Sequence, residues 1–515
     1  MAIDIRLSRI AVSGACLLLA SCTVLGPDYQ APDVKEIHSW QNLSQDLFRE
    51  NVSATDYQQW WKHLNDPVLD KLIDEALSNN PDVRIAGLRI LEALAQLGIA
   101  QSLTGPQLTQ ATADWLRAGQ HQAGQTASGS SYSAAFNLGW ELDFWGKFQR
   151  GIESADASYF ATLAQYDDVQ ILMIAQVAQF YSAIRTLEAR LQIAQDNARI
   201  QQRSLQITEL LFKSGNTAEL DVQQAKTQYL GTLSSIPQLE TSLRQSQNAL
   251  STLLARAPGP LPEMSANTGK IPQGQLALVA EMPADLLRRR PDVRLAERQL
   301  AAQSGLIGIA ESELYPSITL LGTLGIKGTG GGNEVFSWAA GPSISWNLLD
   351  RGTLTNQILV QDARFEQLHE RYRDAVFKAA REVDDAAVAY ANGQTEVQLL
   401  TQTGAAASRS LEIANTQYRE GMADFQRVLD SQRALFSQQE RLVNSRGAQI
   451  QDLITLYKAL GGGWEQGRQR ALTTPDVDER LRKRSEWAPL LDSAPPQPNT
   501  QPQVQPNTQK VNLND

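Results

Sequence analysis

The chain repeats one domain-sized unit, and this duplication limits its possible folds more than any other feature of the sequence. Three short motifs recur in the same order: 80–86 with 290–296, 140–142 with 346–348, and 213–215 with 419–421. The two copies of each motif lie about 206 to 210 residues apart, far longer than the repeat of a solenoid. The sequence therefore predicts two similar domain-sized units in tandem.

Each copy predicts the same order of elements: a helical stretch, two strands and two long helical stretches. The first helical stretch covers about 67–102 in one copy and 291–313 in the other. The long helical stretches cover about 147–213, 217–256, 352–419 and 423–460. A helix of about 65 residues is near 100 Å long at 1.5 Å per residue, so it exceeds a single globular core. We expect such helices to pack side by side, as in coiled coils.

The predicted strands alternate between apolar side chains and small or polar ones. The alternation is strict over 132–144 and 336–348, weaker over 318–326, and least regular over 108–118. Period two over about 13 residues is enough for a tilted membrane strand, which needs about 9–11 residues. The pattern favours four membrane strands, two in each copy.

The connections and the aromatic residues support this interpretation. The polar, Gly-rich segments 119–131 and 328–333 join the strands and are predicted as surface loops. Aromatic residues near the strand ends suit the interfacial girdle of a membrane sheet. The predicted girdle consists of Trp115, Trp140, Trp145, Trp338 and Trp346. The alternative is a soluble β-sandwich with one buried face, but four strands among so much helix make a poor sandwich.

Four strands cannot close a barrel by themselves. An open sheet edge in lipid leaves backbone groups unsatisfied, at a cost of several kcal/mol each. Closure therefore requires several chains: two chains give eight strands around a filled lumen, whereas three give twelve strands and the beginning of a channel. The small, polar inner face of the predicted strands favours the channel.

The N-terminus predicts a lipoprotein signal. Arg6 and Arg9 precede an apolar run at 10–20, which is too short to span a bilayer. The run ends in Leu-Ala-Ser-Cys at Cys22, which resembles the lipobox whose cysteine is acylated and becomes the first residue of the mature chain. Three acyl chains would anchor the chain firmly, and Thr23 in place of an aspartate favours the outer membrane. The alternative is an ordinary signal peptide with an incidental cysteine.

Composition argues against several other classes of protein. The two cysteines, Cys16 and Cys22, both lie in the first 22 residues, which leaves no disulfide framework or cysteine metal site in the mature chain. A net charge of −10 and a pI near 5.2 disfavour nucleic-acid binding. The four histidines show no ligand spacing, and no catalytic pattern is recognisable. We predict no catalytic, cofactor or metal site, and only the lipid on Cys22 as a bound group; an enzyme on a helical scaffold and a structural coiled-coil lipoprotein remain alternatives.

The breaks between the long helical stretches predict hairpin tips. Gly215 and Gly421 fit the C′ position, where the backbone needs a positive φ. Asn216 and Glu219 have the spacing of a capping-box variant, and Asp424 is a candidate N-cap in the second copy.

These motifs together resemble those of the bacterial outer membrane factors, the TolC-like exit ducts, and particularly their NodT-type efflux lipoproteins. The matching segments are 22–29, 60–67, 80–83, 289–293, 315–316, 418–421 and 428–433. The resemblance covers about 22–465. It implies a homotrimer, lipid-anchored in the outer membrane of a Gram-negative cell, in which each mainly helical chain adds four strands to one 12-stranded β-barrel and long hairpins to a periplasmic α-barrel.

The resemblance also implies partners and a function. The duct would dock with a periplasmic adaptor and an inner-membrane transporter of the resistance-nodulation-division class, and would export drugs or other toxic small molecules. It would perform no covalent chemistry, because the pump supplies the energy. A duct for type I protein secretion is the alternative within this class.

The resemblance assigns residues to the periplasmic end of the duct. The implied gate residues are Tyr418, Asp424, Gln426 and Asp430, and the implied tip and adaptor-docking residues are Lys213, Gly215, Asp221, Arg419 and Gly421. Gln426 stands where a similar chain carries an apolar ring residue. Three copies of Asp430 near a threefold axis would form a carboxylate ring that attracts cations. The alternative is that Asp430 only pairs with Arg427 or Arg433 on its own helix.

We therefore divide the chain into six predicted segments. They are the signal peptide at 1–21, a lipid-anchored segment at 22–66, the first repeat at 67–260, an inter-repeat equatorial segment at 261–290, the second repeat at 291–465, and a C-terminal segment at 466–515. The last segment ends in a Pro-, Gln- and Asn-rich tail that is predicted to be disordered.

Overall fold

The computed structural model describes residues 24–32, 58–274, 288–330, 332, 334–465 and 470–492. The predicted signal peptide, Cys22 and the Pro- and Gln-rich tail from 493 onward lie outside the described residues. The chain separates into two units, one ending at Leu472 and the other beginning at Thr473. The first unit contains both predicted repeats.

The described elements of the first unit follow the duplicated order that the sequence predicts. The first repeat contains α1 (Pro67–Asn79), α2 (Pro81–Ser102), β1 (Leu108–Gln122), β2 (Gln125–Glu141), α3 (Lys147–Lys213) and α4 (Glu219–Leu253). The second repeat contains α5 (Pro291–Ser312), β3 (Ser317–Thr329), β4 (Glu334–Ser345), α6 (Arg351–Arg419) and α7 (Phe425–Ala459). The second unit contains α8 (Pro475–Arg484) and α9 (Ala488–Leu491).

The helical stretch predicted over 67–102 is two helices. It breaks at Asn80, whose backbone is extended and whose side chain accepts a hydrogen bond of 2.8 Å from the Asp82 N–H. Pro81 occupies the first turn of α2, where its missing N–H costs nothing. The predicted helical stretch is therefore confirmed but divided into two helices, because an N-cap followed by proline starts a new helix.

The long helices have the predicted bounds to within a few residues. Helix α3 has 67 residues and α6 has 69, so each is about 100 Å long. Helix α3 packs against α2, α4, α5 and α7, while α6 packs against α5 and α7. Among the described helices, none combines the length and the apolar character that crossing a bilayer requires.

The four strands form one antiparallel sheet in the order β1-β2-β3-β4. Phe136 lies opposite Ala111 on one side and Leu324 on the other, and Leu324 lies opposite Trp338. Because directly opposed residues share a face, the apolar sets of neighbouring strands form one continuous face. The register confirms the predicted alternation, including the weaker set in 318–326.

The strands extend further from the helices than the sequence predicts. The predicted loop at 119–131 is mostly strand, and the hairpin turns at Ala123 and Gly124 alone. These two residues have φ values of 51° and 82°, and a two-residue type I′ turn requires a positive φ at both positions. The loop prediction was wrong because polar, Gly-rich composition marks exposure to water and does not end a strand.

The main buried core lies beside the middle of α3, where the two repeats meet. The Trp60 ring stacks on the Tyr457 ring with centroids 5.2 Å apart. Nearby, the fully buried Arg185 donates hydrogen bonds of 2.8 and 2.6 Å to the carbonyls of Met264 and Ala266. These bonds fix the start of the inter-repeat segment against α3.

Candidate functional site

Two matching turns form the tips of the helical hairpins. After α3, Gly215 adopts a φ of 74°, and the Asn216 N–H donates to the Leu211 carbonyl at 2.8 Å. After α6, Gly421 adopts a φ of 72°, with the corresponding backbone bond also at 2.8 Å. This pattern is a Schellman motif, so the prediction of C′ glycines at the tips is confirmed. Lys213 and Arg419 are the exposed last residues of their helices.

The turn that follows the first tip differs from the prediction. Helix α4 begins after Ala218, which makes no side-chain capping bond. The predicted capping box of Asn216 and Glu219 was wrong, because Asn216 belongs to the Schellman turn, two residues before the N-cap. The Thr217 hydroxyl instead donates to the carboxylate of Asp221. Asp221 is thereby held at the tip.

The implied gate carboxylates make local contacts within one chain. Asp424 caps α7 by accepting a hydrogen bond of 3.3 Å from the Arg427 N–H, as predicted. Asp430 accepts a bond of 2.9 Å from Gln426 Nε2, so these two side chains share a face of α7. Asp430 also pairs with Arg433 at 3.3 Å, and its side chain is 59% exposed. The local pairing that the sequence offered as an alternative is therefore present.

The two hairpins contact each other near their tips through an apolar cluster that the sequence analysis missed. Its buried members are Ala225, Ala414, Phe425, Val428 and Leu429, flanked by Leu205, Leu411 and Tyr418. The Tyr418 and Phe425 ring centroids lie 5.3 Å apart. Burial raises the pKa of Tyr418, and the nearby charge of Asp221 raises it further. The structure thus brings Tyr418 and Asp221 from different hairpins together.

The predicted girdle tryptophans lie at different heights on the sheet. Three of them lie at the helix-facing end, where each indole N–H donates to a backbone carbonyl. The bonds are Trp140 to Thr104 at 3.0 Å, Trp145 to Pro316 at 2.8 Å and Trp346 to Leu314 at 3.1 Å. We call this set the lower aromatic level. These carbonyls belong to the connections between helices and strands, so the bonds tie the sheet to the helices.

The other two girdle tryptophans do not lie at strand ends. Trp115 lies opposite Tyr132 within β1, because the strand continues beyond it. Trp338 lies in the interior of β4 opposite Leu324, which corrects that part of the predicted set. Eight residues of β2 separate Tyr132 from Trp140, about 26 Å along the strand. If the strands tilt by about 40°, the apolar band between the levels of Tyr132 and Trp140 is roughly 20 Å high. This height is close to the apolar height of an outer-membrane barrel, about 25 Å.

A cluster of charges around the buried side chains of Arg290 and Asp167 lies among α3, α5 and α6, outside the predicted site residues. Arg290 bonds Asp292 at 2.7 Å and Glu382 at 2.8 Å, while Arg294 pairs with Asp167. Burial, followed by the charge of Asp292, raises the pKa of the neighbouring Asp168 to about 6. The recurring Pro-Asp-Val-Arg motif, at 291–294 in the second copy, is the sequence signal that could have located this group.

Within the described part of the chain, no group of three or more His, Cys, Asp or Glu side chains is arranged to hold a metal ion. Cys22 lies outside that part, which begins two residues later at Val24. The segment from Val24 lies beside Gly146, at the start of α3 and next to the lower aromatic level.

Comparison with known proteins gives matches over most of the chain. A family model described as outer membrane efflux protein matches residues 72–256 and 282–462, one segment in each predicted repeat. Nodulation protein T of Rhizobium leguminosarum bv. trifolii is 29% identical, over 89% of this chain and 98% of that protein. Cation efflux system protein CusC of Escherichia coli O6:H1 is 31% identical, over 87% and 97%. Probable outer membrane lipoprotein SilC of Salmonella typhimurium is 28% identical, over 89% and 99%.

A solved structure agrees with this result. The outer-membrane channel OprN superimposes with a TM-score of 0.79 at 30% identity, covering 85% of this chain and 99% of that one. The duplicated helical hairpins and the four-stranded sheet thus have a counterpart in a known outer-membrane channel.

Proposed function

Because the chain belongs to the outer membrane efflux protein family, we propose that three copies assemble into the exit duct of a tripartite efflux pump. The protein is an outer-membrane efflux channel with a large periplasmic helical part. Its TolC-like fold pairs long hairpins with membrane strands. The trimer, the partners and the roles of individual residues are the proposed parts.

The main support for the proposed trimer is that the membrane sheet of one chain has two open edges. Among the described strands, β1 and β4 each pair on one side only, and in a four-stranded meander they run in opposite directions. Strand β4 of one copy can therefore pair antiparallel with β1 of the next and continue the meander. Three copies give a closed barrel of twelve strands, and closure removes the backbone cost of edges in lipid.

The two faces of the sheet suit a water-filled lumen. The apolar face that contains Phe136, Leu324 and Trp338 would contact lipid. The opposite face carries polar residues at the same heights, including Asp114 and Lys327, both paired with Ser133. An apolar exterior with a polar interior is the pattern of channel-forming barrels.

We propose the periplasmic gate at the tip of the second hairpin. Of the implied gate residues, Asp424 caps α7, whereas Asp430 lies nearly two turns further along α7 and has a side chain that is 59% exposed. We therefore propose Asp430 as the ring carboxylate, with its hydrogen-bond partner Gln426 on the same face of α7. Tyr418, in the apolar cluster between the hairpins, is the remaining proposed gate residue. The tip residues Lys213, Gly215, Asp221, Arg419 and Gly421 would meet the periplasmic adaptor, which connects the duct to an inner-membrane transporter of the resistance-nodulation-division class.

The remaining proposals concern the lipid and the absence of chemistry. We propose a lipid on Cys22 as the only bound group, and transport without covalent catalysis or nucleic-acid binding. The six predicted segments, with repeats at 67–260 and 291–465, remain our division of the chain.

Accumulation of a fluorescent dye in a strain that lacks this protein tests the function. We expect several-fold higher accumulation in the deletion strain and normal accumulation after complementation with the wild-type chain. Unchanged accumulation of dyes, drugs and metal cations would contradict the efflux role. Loss of a secreted protein from the medium of the same strain would instead support the alternative, a protein-secretion duct.

A further inference from the structure

The first described segment, residues 24–32, is held against the junction of sheet and helices; we call it the strap. The Leu25 N–H donates to the Trp145 carbonyl at 3.0 Å. Arg150 of α3 donates from Nε to the Leu25 carbonyl at 2.8 Å and from a terminal nitrogen to the Gly26 carbonyl at 3.0 Å. The Arg150 side chain is 5% exposed, so a buried guanidinium binds the strap backbone directly.

Glycines allow the strap to lie this close to the helices. Gly26 has a φ of 84°, and a Cβ there would lie 2.4 Å from the Gly308 Cα of α5. A Cβ at Gly308 would lie 2.7 Å from the Leu25 oxygen, and one at Gly146 would lie 2.7 Å from Val24 Cγ1. Side chains at these positions would push the strap away, so its seat depends on backbone contact.

The carboxylate partners of Arg150 contribute less to holding the strap than the backbone carbonyls of the strap do. Asp28 accepts a bond of 2.8 Å, but its side chain is 91% exposed, and such surface pairs contribute little. Glu153, one turn along α3, accepts another at 2.7 Å. The hydrogen bonds from a buried charge to the Leu25 and Gly26 carbonyls are the stronger hold, because water does not compete for them. Further along the strap, the Tyr29 hydroxyl donates to Glu297 Oε1 at 3.1 Å.

The strap begins at a defined height relative to the sheet. Trp145, whose carbonyl accepts the bond from Leu25, belongs to the lower aromatic level. The ring centroids of Trp145 and Tyr315 lie 4.7 Å apart. Cys22 precedes Val24 by two residues in the sequence, and two residues of chain span at most about 7 Å. A lipid on Cys22 therefore starts close to the lower aromatic level.

We propose that Arg150 is a positioning residue that locks the strap, so that the lipid of Cys22 and the lower aromatic level enter the membrane at the same depth. The inference rests on the proposed lipidation of Cys22. A lipid on a loose tether anchors a chain but leaves the depth of its sheet free. A locked strap presents the acyl chains and the apolar face of the sheet to the bilayer together, which assists insertion before the strands of neighbouring copies pair.

Hydrogen–deuterium exchange of the purified, lipidated protein in detergent tests the lock. In Arg150→Met we expect amides of residues 24–30 to exchange at least tenfold faster than in the wild type, with an intermediate rate in Arg150→Lys. The matched control is Arg199→Met, which changes a 74% exposed arginine of the same helix and should leave the strap unchanged. Wild-type exchange of the strap in Arg150→Met would overturn the lock.

A second measurement separates positioning from a general effect on folding. We measure the fraction of the protein that resists urea extraction from outer membranes. The Arg150→Met change is made in two backgrounds, the natural chain and a Cys22→Ser chain. The Cys22→Ser chain follows a signal peptide that is cleaved without lipidation. We expect a several-fold loss in the lipidated background and no further loss in the Cys22→Ser background. Equal losses in both backgrounds would overturn the positioning role.

Palmitate labelling distinguishes failure of this inference from failure of the proposed lipidation. We expect equal labelling of wild type and Arg150→Met, because the lock acts after acylation. An unlabelled wild-type chain would contradict lipidation and so overturn the link between strap and lipid. The exchange measurement would then still decide whether Arg150 holds the strap.

Discussion

At the scale of single residues, Asp168 is a carboxyl group whose charge the fold disfavours. Burial and the charge of Asp292 raise its pKa to about 6, against an ordinary value of 3.8. The folded chain therefore binds more protons than the unfolded chain between about pH 4 and pH 6. It follows that this group lowers stability as the pH rises through that window.

Asp168→Asn should remove this pH dependence. We expect the variant to be more stable than the wild type at pH 7, by on the order of 2 kcal/mol, and to differ little at pH 4. The measurement is the thermal midpoint of the helical circular dichroism signal at several pH values. Asp385→Asn, at an exposed position on α6, is the matched control. A pH dependence equal to that of the wild type would contradict the assigned cause.

Asp430 provides the residue-scale test of the gate. If three copies line a constriction, Asp430→Ala should leave assembly intact, raise basal conductance and reduce preference for cations, because the carboxylate ring is gone. Single-channel recording in planar bilayers measures both properties, with Asp385→Ala as control. Conductance and selectivity equal to those of the wild type would show that Asp430 only forms its local pairs with Gln426 and Arg433.

At the scale of elements, the hairpin tips depend on glycine at the C′ position. Replacing Gly421 by alanine should destabilise the last turn of α6 by about 1 kcal/mol, because its φ of 72° disfavours a side chain. Exchange of the Met422 N–H, which closes the Schellman turn, should become roughly fivefold faster. Gly404→Ala in the interior of α6, where a Cβ meets open space, is the control and should slow exchange or leave it unchanged. Equal exchange in Gly421→Ala and the wild type would contradict the Schellman assignment.

The same elements show what the sequence could and could not predict. Helical periodicity predicts the long helices and the C′ glycines predict their tips, since both signals are local in the sequence. The break at Asn80 is also locally encoded, by an N-cap followed by proline. The strand ends within 119–131 could not be predicted from composition, because these polar, Gly-rich residues carry no apolar alternation. The packing of Tyr418 beside Asp221 could not be read either, because it depends on how two hairpins distant in sequence meet.

At the scale of the whole molecule, the two open edges of the sheet are the feature of the fold that bears most directly on the proposed channel. The described part of a single chain supplies an apolar surface and a polar surface but leaves the outer sides of β1 and β4 unpaired. In lipid such edges are costly, and this cost is the physical basis of the proposed trimer. In the proposed trimer the long hairpins would extend the threefold symmetry into the periplasm, where the proposed gate needs three copies of each tip.

The most direct test is the native mass of the protein extracted from outer membranes in mild detergent. Closure of twelve strands predicts a single species with three times the mass of the lipidated chain. A species of twice that mass would give eight strands and a filled lumen instead of a channel. A stable monomer would leave both sheet edges open and would contradict the proposed duct.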